Sequence, residues 1–151
     1  MNAPARGSSP LNPSIRATAR VSNPLPVPTD CPHCAAPVSL VNNETIYGRA
    51  YGEWPWAYAC NGCGAYVGLH PFTAIPLGTL ATAEIRDARK RAKAAFNPLW
   101  QQGGMSRTAA YAWLAGALGI ADVEACHIGW FDVDQCNAVV HAINVAAAEA
   151  G

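Results

Sequence analysis

Four cysteines carry the most legible chemistry in this sequence. Cys31 and Cys34 stand in "CPHC", Cys60 and Cys63 in "CNGC", and 25 residues separate the two pairs. A C-x2-C turn places two thiolates on one side of a tight loop. Two such turns, joined by a small sheet, supply four soft donors at the corners of a tetrahedron, the arrangement zinc takes at a Zn–S distance of about 2.3 Å. The gap is longer than the roughly 15–20 residues of the simplest two-pair template. It suits a ribbon with two or three strands between its knuckles. Gly64 follows the second pair, where a knuckle needs positive φ, and Pro32 stiffens the first turn.

Two disulfides or four free thiols are the competing readings. A redox-active C-x-x-C belongs at a helix start within a βαβ pattern, which this stretch lacks. A closed four-thiolate shell has no open position for water or substrate, so one zinc ion held here has a structural role. Its binding energy acts as folding energy for a segment too small to fold alone.

Other metal-competent or titratable residues read less sharply. His33, inside the first knuckle, is expected to be exposed and is not needed as a ligand. His70, before Pro71, is either a packed, hydrogen-bonded histidine or part of a functional surface. Cys126, His127, Cys136 and His141 could form a second metal site. The simpler reading makes Cys126 and Cys136 core thiols and His127 a polar contact that fixes a turn. No phosphate-binding loop, nucleophile elbow, H-E-x-x-H or paired-carboxylate motif is present.

A second candidate surface is "RDARKRAK" at 86–93, with five basic residues and one acid. Arg86, Arg89, Lys90 and Lys93 fall close to one face of a helix, with Arg91 to the side. This is either an ordinary solvated face or a phosphate-contacting one. Tyr47, Tyr51, Trp54, Trp56 and Tyr66 are candidate stacking groups for nucleic-acid bases, although a small sheet must also use such residues as cover. Arg6, Arg16 and Arg20 could add backbone contacts.

These groups need positioning by a fold. The periodicity divides the 151 residues into a disordered Pro/Ser-rich arm (1–29), a zinc-ribbon module (30–78) and a helical region packed on the ribbon (79–151). The fold class is α+β: a small β-module with the four-cysteine site and about three α-helices. Strands are expected at 37–41, 44–48, 56–59 and 65–69, with Asn42-Asn43 as a hairpin turn between the first two. Helices are expected at 80–96, 107–118 and 133–148. The first buries Ile85, Ala88, Ala92 and Phe96. The second has Ser106 as N-cap, a stripe of Tyr111, Leu114 and Leu118, and Gly119 past its end. The third starts at Asp132 with Gln135 completing a capping box and buries Cys136, Val140, Ile143 and Ala147.

Composition limits the partners. The formal net charge is zero and charged residues make up 13%, so global charge calls for no polyanion. From residue 121 onward there are five acids and no Lys or Arg, which sets an acidic end against the basic helix. No apolar run reaches the roughly 18–20 residues of a membrane helix, and the N-terminus shows no signal-peptide core. A reducing, cytoplasmic compartment is expected, where cysteines serve as metal ligands more often than as disulfides.

The combination C-x2-C-G-A-Y-V-G-x-H, P-L-G-T-L-A, F-x-P-L-W, A-Y-x-W-L-A and C-H-I-G resembles a family of zinc-finger-containing proteins found in phages, prophages and bacteria, over about residues 30–140. The resemblance implies zinc on Cys31, Cys34, Cys60 and Cys63, a helical C-terminal part and a mobile-element origin. It implies no activity. Relatives often have His and Asp where this chain has Lys93 and Asn97, so an activity of such a pair is not carried over.

The leading expectation is therefore a non-enzymatic zinc-ribbon module that contacts DNA or RNA through the basic helix. The alternative is a protein-interaction module or inhibitor docking on a host protein, which calls for an exposed apolar patch involving Trp100 or Trp130. A small enzyme would need His70 and His127 together near a carboxylate such as Asp132.

Overall fold

Residues 38–42 and 56–60 mix β-branched, aromatic and small residues, and they pair in the computed structural model, which describes residues 8–150. Strand β1 (Val38–Asn42) lies antiparallel to β2 (Trp56–Cys60), with Val38 opposite Cys60 and Asn42 opposite Trp56. Strand β3 (Tyr66–Gly68) pairs antiparallel with the other edge of β2, giving the order β1-β2-β3. The sheet buries Tyr58, Cys60, Ala65, Val67, Leu69 and Leu80 together with Cys31, and Trp54 and Trp56 pack against them. Two polar handles on these rings are satisfied by backbone: Tyr58 Oη donates to Ala74 O, and Trp54 Nε1 donates to Thr73 O.

The expected hairpin at Asn42-Asn43 does not form. Residues Glu44–Tyr47 make one helical turn, α2, instead of a strand. Asn42 Oδ1 accepts from Glu44 N–H and its carbonyl accepts from Thr45 Oγ1. These bonds offer the backbone a helical start in place of a ladder. Gly48, at φ +83°, closes the turn.

The N-terminal segment also departs from expectation. Its first seven residues, Arg6 among them, lie outside the described part. Residues Ile15–Ala19 form a short helix, α1, with Ser14 Oγ accepting from Ala17 N–H. The prolines flank this turn rather than enter it, which is where a helix tolerates them. Ser14 N–H donates to Phe72 O at 2.8 Å and Val38 N–H to Thr29 O at 3.0 Å.

The chain forms two units, Met1–Thr82 and Ala83–Gly151. The first extends past the expected boundary at 78 because Tyr66 and Ala81 exchange two backbone hydrogen bonds of 3.1 Å. The second is helical: α3 (Ala83–Phe96), α4 (Pro98–Gln101), α5 (Arg107–Leu118) and α6 (Val133–Ala150). The three longer helices stand where the periodicity puts them, and α4 is an added turn led by Pro98, which is pre-set for a first helical position. Ser106 caps α5 through Ala109 N–H, and Gly119 ends it at φ +72°. Asp132 and Gln135 form the reciprocal capping box of α6: each side chain accepts the other's backbone N–H, at 2.8 and 3.0 Å.

The core of this unit is Ala88, Ala92, Phe96, Ala110, Leu114, Ala115, Cys126, Ile128, Phe131, Cys136 and Val139. The α6 stripe is rotated from expectation: Val139 is fully buried while Val140 and Ile143 are half-buried and Ala147 is exposed. In α5 the centre of the stripe moves likewise to Ala110, Leu114 and Ala115. Among the described residues no helix is long and apolar enough to cross a membrane.

Candidate metal centre and basic helix

Two matching turns build the centre. In the first, Cys31 N–H donates to Ala36 O and Ala35 N–H to Cys31 O, both at 2.9 Å. In the second, at the end of β2, Cys60 N–H donates to Ala65 O at 2.8 Å. Each turn has a left-handed residue straight after its second cysteine: Ala35 at φ +64° and Gly64 at φ +80°. Backbone N–H groups aim at the sulfurs. His33 N–H donates to Cys31 Sγ at 3.4 Å, while Gly62 and Cys63 N–H donate to Cys60 Sγ at 3.2 and 3.3 Å.

These turns bring all four sulfurs within 4.8 Å of one another. Cys31 and Cys63 Sγ are 3.7 Å apart, Cys34 and Cys60 Sγ 3.3 Å. A tetrahedral zinc with bonds of about 2.3 Å sets its sulfurs about 3.8 Å apart, so the donor set fits that ion. A disulfide needs about 2.05 Å, and all four cysteines are free thiols. The reading of two disulfides is thereby dropped. Cys31, Cys34, Cys60 and Cys63 form a single zinc site.

Electrostatics in the cluster differ by position. Desolvation pushes the Cys60 thiol up, but N–H donation from Cys63 and Gly62 and contact with Cys34 and Cys31 outweigh it and bring it down to about 6. The Ala65 N–H pulls Cys63 down, yet desolvation and the sulfurs of Cys31, Cys34 and Cys60 carry it up to about 11. The N–H donors thus favour the thiolate at Cys60, while the neighbouring sulfurs favour the thiol at Cys63, whose proton a bound metal would displace.

Gly62 is a site residue that sequence reasoning missed. A Cβ on it would stand 2.8 Å from Ala36 Cβ and 3.2 Å from Cys34 Sγ. The two knuckles close only because that atom is absent. The one available signal was its place inside C-x2-C, and nothing local shows the close approach.

His33 is exposed and stands outside the sulfur cluster; its Nε2 hydrogen-bonds Leu80 O at 2.8 Å. His70 belongs to the first unit, is half-buried, and is held below the ordinary histidine range by desolvation. His127 belongs to the second unit and stacks on Trp130, centroids 4.0 Å apart. Cys126 and Cys136 are buried core thiols at 2% and 1% exposure, and burial pushes both up. His141 is exposed on α6. Among the described residues, only the four-cysteine group brings three or more such ligands within reach of one ion. Asp132, the carboxylate considered for an enzyme, is engaged in capping α6.

The basic helix needs one correction. Arg89, expected on the phosphate-facing side, is 9% exposed, and its Nε donates to Phe131 O at 2.9 Å. It is a core tie within the second unit; desolvation pushes its pKa down. Arg86 is half-exposed, and Lys90, Arg91 and Lys93 are exposed. Trp100 and Trp130, proposed for an exposed apolar patch, are both half-buried, with Trp100 packed on the core.

Fold and site together define a small α+β zinc-binding module with a four-thiolate centre. Over residues 27–146 the chain matches the zinc-finger-containing domain family (DUF3268), and it belongs to that family. No curated protein and no solved structure shows a significant match.

Proposed function

We propose that this zinc-binding module contacts nucleic acid through the solvent side of α3 and catalyses no reaction. The observation that supports it is the placement of three cations. Arg86, Lys90 and Lys93 stand at i, i+4 and i+7, within about 60° of helix arc, and the buried residues Ile85, Ala88, Ala92 and Phe96 occupy another side. Such a stripe can follow a phosphate backbone, giving affinity without sequence choice. A closed four-thiolate zinc offers no position for substrate, which favours a binding role over a catalytic one.

The test is retention of the zinc-loaded protein on immobilised DNA and RNA across a salt gradient. Three phosphate contacts give a log–log slope of about −2 to −3. Lys90→Glu with Lys93→Glu should abolish retention while leaving zinc content and helicity unchanged. Retention unaffected by salt or by this double variant contradicts the reading. So does capture of a host protein that persists after nuclease treatment, which would favour the protein-docking alternative.

A further inference from the structure

The segment between β1 and β2 holds two tyrosine rings in water. Tyr47 is 49% exposed and Tyr51 46%. Their rings meet edge to face, centroids 5.3 Å apart at 86°, and together they line a shallow notch. Tyr47 meets Tyr66 in the same way at 5.9 Å, and the Tyr47 hydroxyl hydrogen-bonds that of Tyr66 at 3.2 Å. The Arg49 guanidinium lies 4.4 Å from the centroid of the Tyr51 ring.

The backbone that carries Tyr51 is fixed by hydrogen bonds. Asn43 clamps Tyr51 by two bonds: its Nδ2 donates to Tyr51 O at 3.0 Å, and its Oδ1 accepts from Tyr51 N–H at 2.9 Å. Asn43 N–H in turn donates to Pro55 O at 2.8 Å. Gly48 and Gly52, at φ +83° and +79°, supply left-handed bends on either side of Arg49 and Tyr51. Neither ring belongs to the buried core of this unit, although both stand at fixed backbone positions. The pair preorganises a π-lined contact, the kind of surface that lowers the ordering cost of binding a flat ring.

We propose that the exposed Tyr47–Tyr51 pair is a stacking site for an unpaired nucleobase, with Arg49, seated over the Tyr51 ring, meeting the adjoining phosphate. This rests on the nucleic-acid reading above and adds the class of strand: single-stranded. A base stacked on the open face of an aromatic side chain, with a guanidinium nearby, is how single strands are held. Glu44 and Glu53, both exposed, bracket the segment. They disfavour a duplex backbone laid across this face more than a single strand entering at one point.

The probe is a short thymidine homopolymer, compared with a duplex of equal length, against the zinc-loaded full chain, read by tyrosine fluorescence quenching and anisotropy. The expected result is single-strand binding that falls roughly tenfold or more in Tyr51→Leu and in Tyr47→Leu, with duplex binding unchanged. Tyr51→Phe keeps the ring and should keep the affinity, which controls for loss of fold. If both Leu variants bind the homopolymer like the parent chain while Lys90→Glu/Lys93→Glu loses it, the stacking site is wrong and the phosphate reading stands. If the parent chain binds neither probe, both are wrong. Binding of a proline-rich peptide at the notch, in place of the homopolymer, also overturns the proposal.

Discussion

Gly62 shows how much can rest on one missing atom. Its Cβ would stand 2.8 Å from Ala36 Cβ, under van der Waals contact. Gly62→Ala should therefore weaken zinc at least tenfold in a competition titration with a colorimetric chelator, although all four ligands remain. Protons follow a definite sign. Metal binding requires thiolates, so protons compete with zinc. Cys63, carried up to about 11, holds its proton throughout the neutral range of the metal-free chain. Zinc affinity should thus rise about tenfold or more per pH unit from 7 to 9, and more steeply below about 6, where Cys60 is protonated too. A pH-independent affinity would contradict this. Arg89 carries a third test. Arg89→Leu removes a buried hydrogen bond from a charged donor to Phe131 O, a loss of about 1.5–3 kcal/mol, read as a lower denaturation midpoint. The salt slope for nucleic acid should not change. The ligating cysteines were legible because metal geometry writes itself into local spacing. Arg89 was misread because its partner lies 42 residues away, beyond the reach of helical periodicity.

At the scale of elements, caps were the most legible features because their chemistry is local. Ser106, Gly119 and the Asp132/Gln135 box sit where the sequence places them. Asp132→Ala should lower the stability of the helical unit by about 1 kcal/mol, measurable by thermal denaturation followed at a helical signal. The turn at Glu44–Tyr47 was not legible. The short Thr-Ile-Tyr run after two asparagines fits a hairpin strand equally well, and the choice rests on whether the Asn42 side chain takes the Glu44 N–H or the asparagine pair forms a turn. The shifts of buried stripe in α5 and α6 have a similar origin. Runs such as "VVHAINVAAA" are apolar around much of the helix, so periodicity alone does not single out Val139 over Val140.

For the whole molecule the two units predict different responses to chelation. The first unit has a small apolar core around Tyr58, Val67 and Leu69, and binding of about 10 kcal/mol or more at a structural zinc is folding energy there. The helical unit has its own core of Phe96, Leu114, Ile128 and Val139. Removing zinc should abolish the near-ultraviolet signals of Trp54 and Trp56 while helical signal from the second unit persists.

The account depends most on one metal held by four sulfurs, and X-ray absorption at the zinc edge of the purified protein, with metal content measured in parallel, reads that directly. One zinc per chain with four sulfur neighbours at about 2.3 Å is the predicted result. Nitrogen or oxygen in the inner shell, a zinc content well below one per chain after loading, or a mass showing paired disulfides would contradict it.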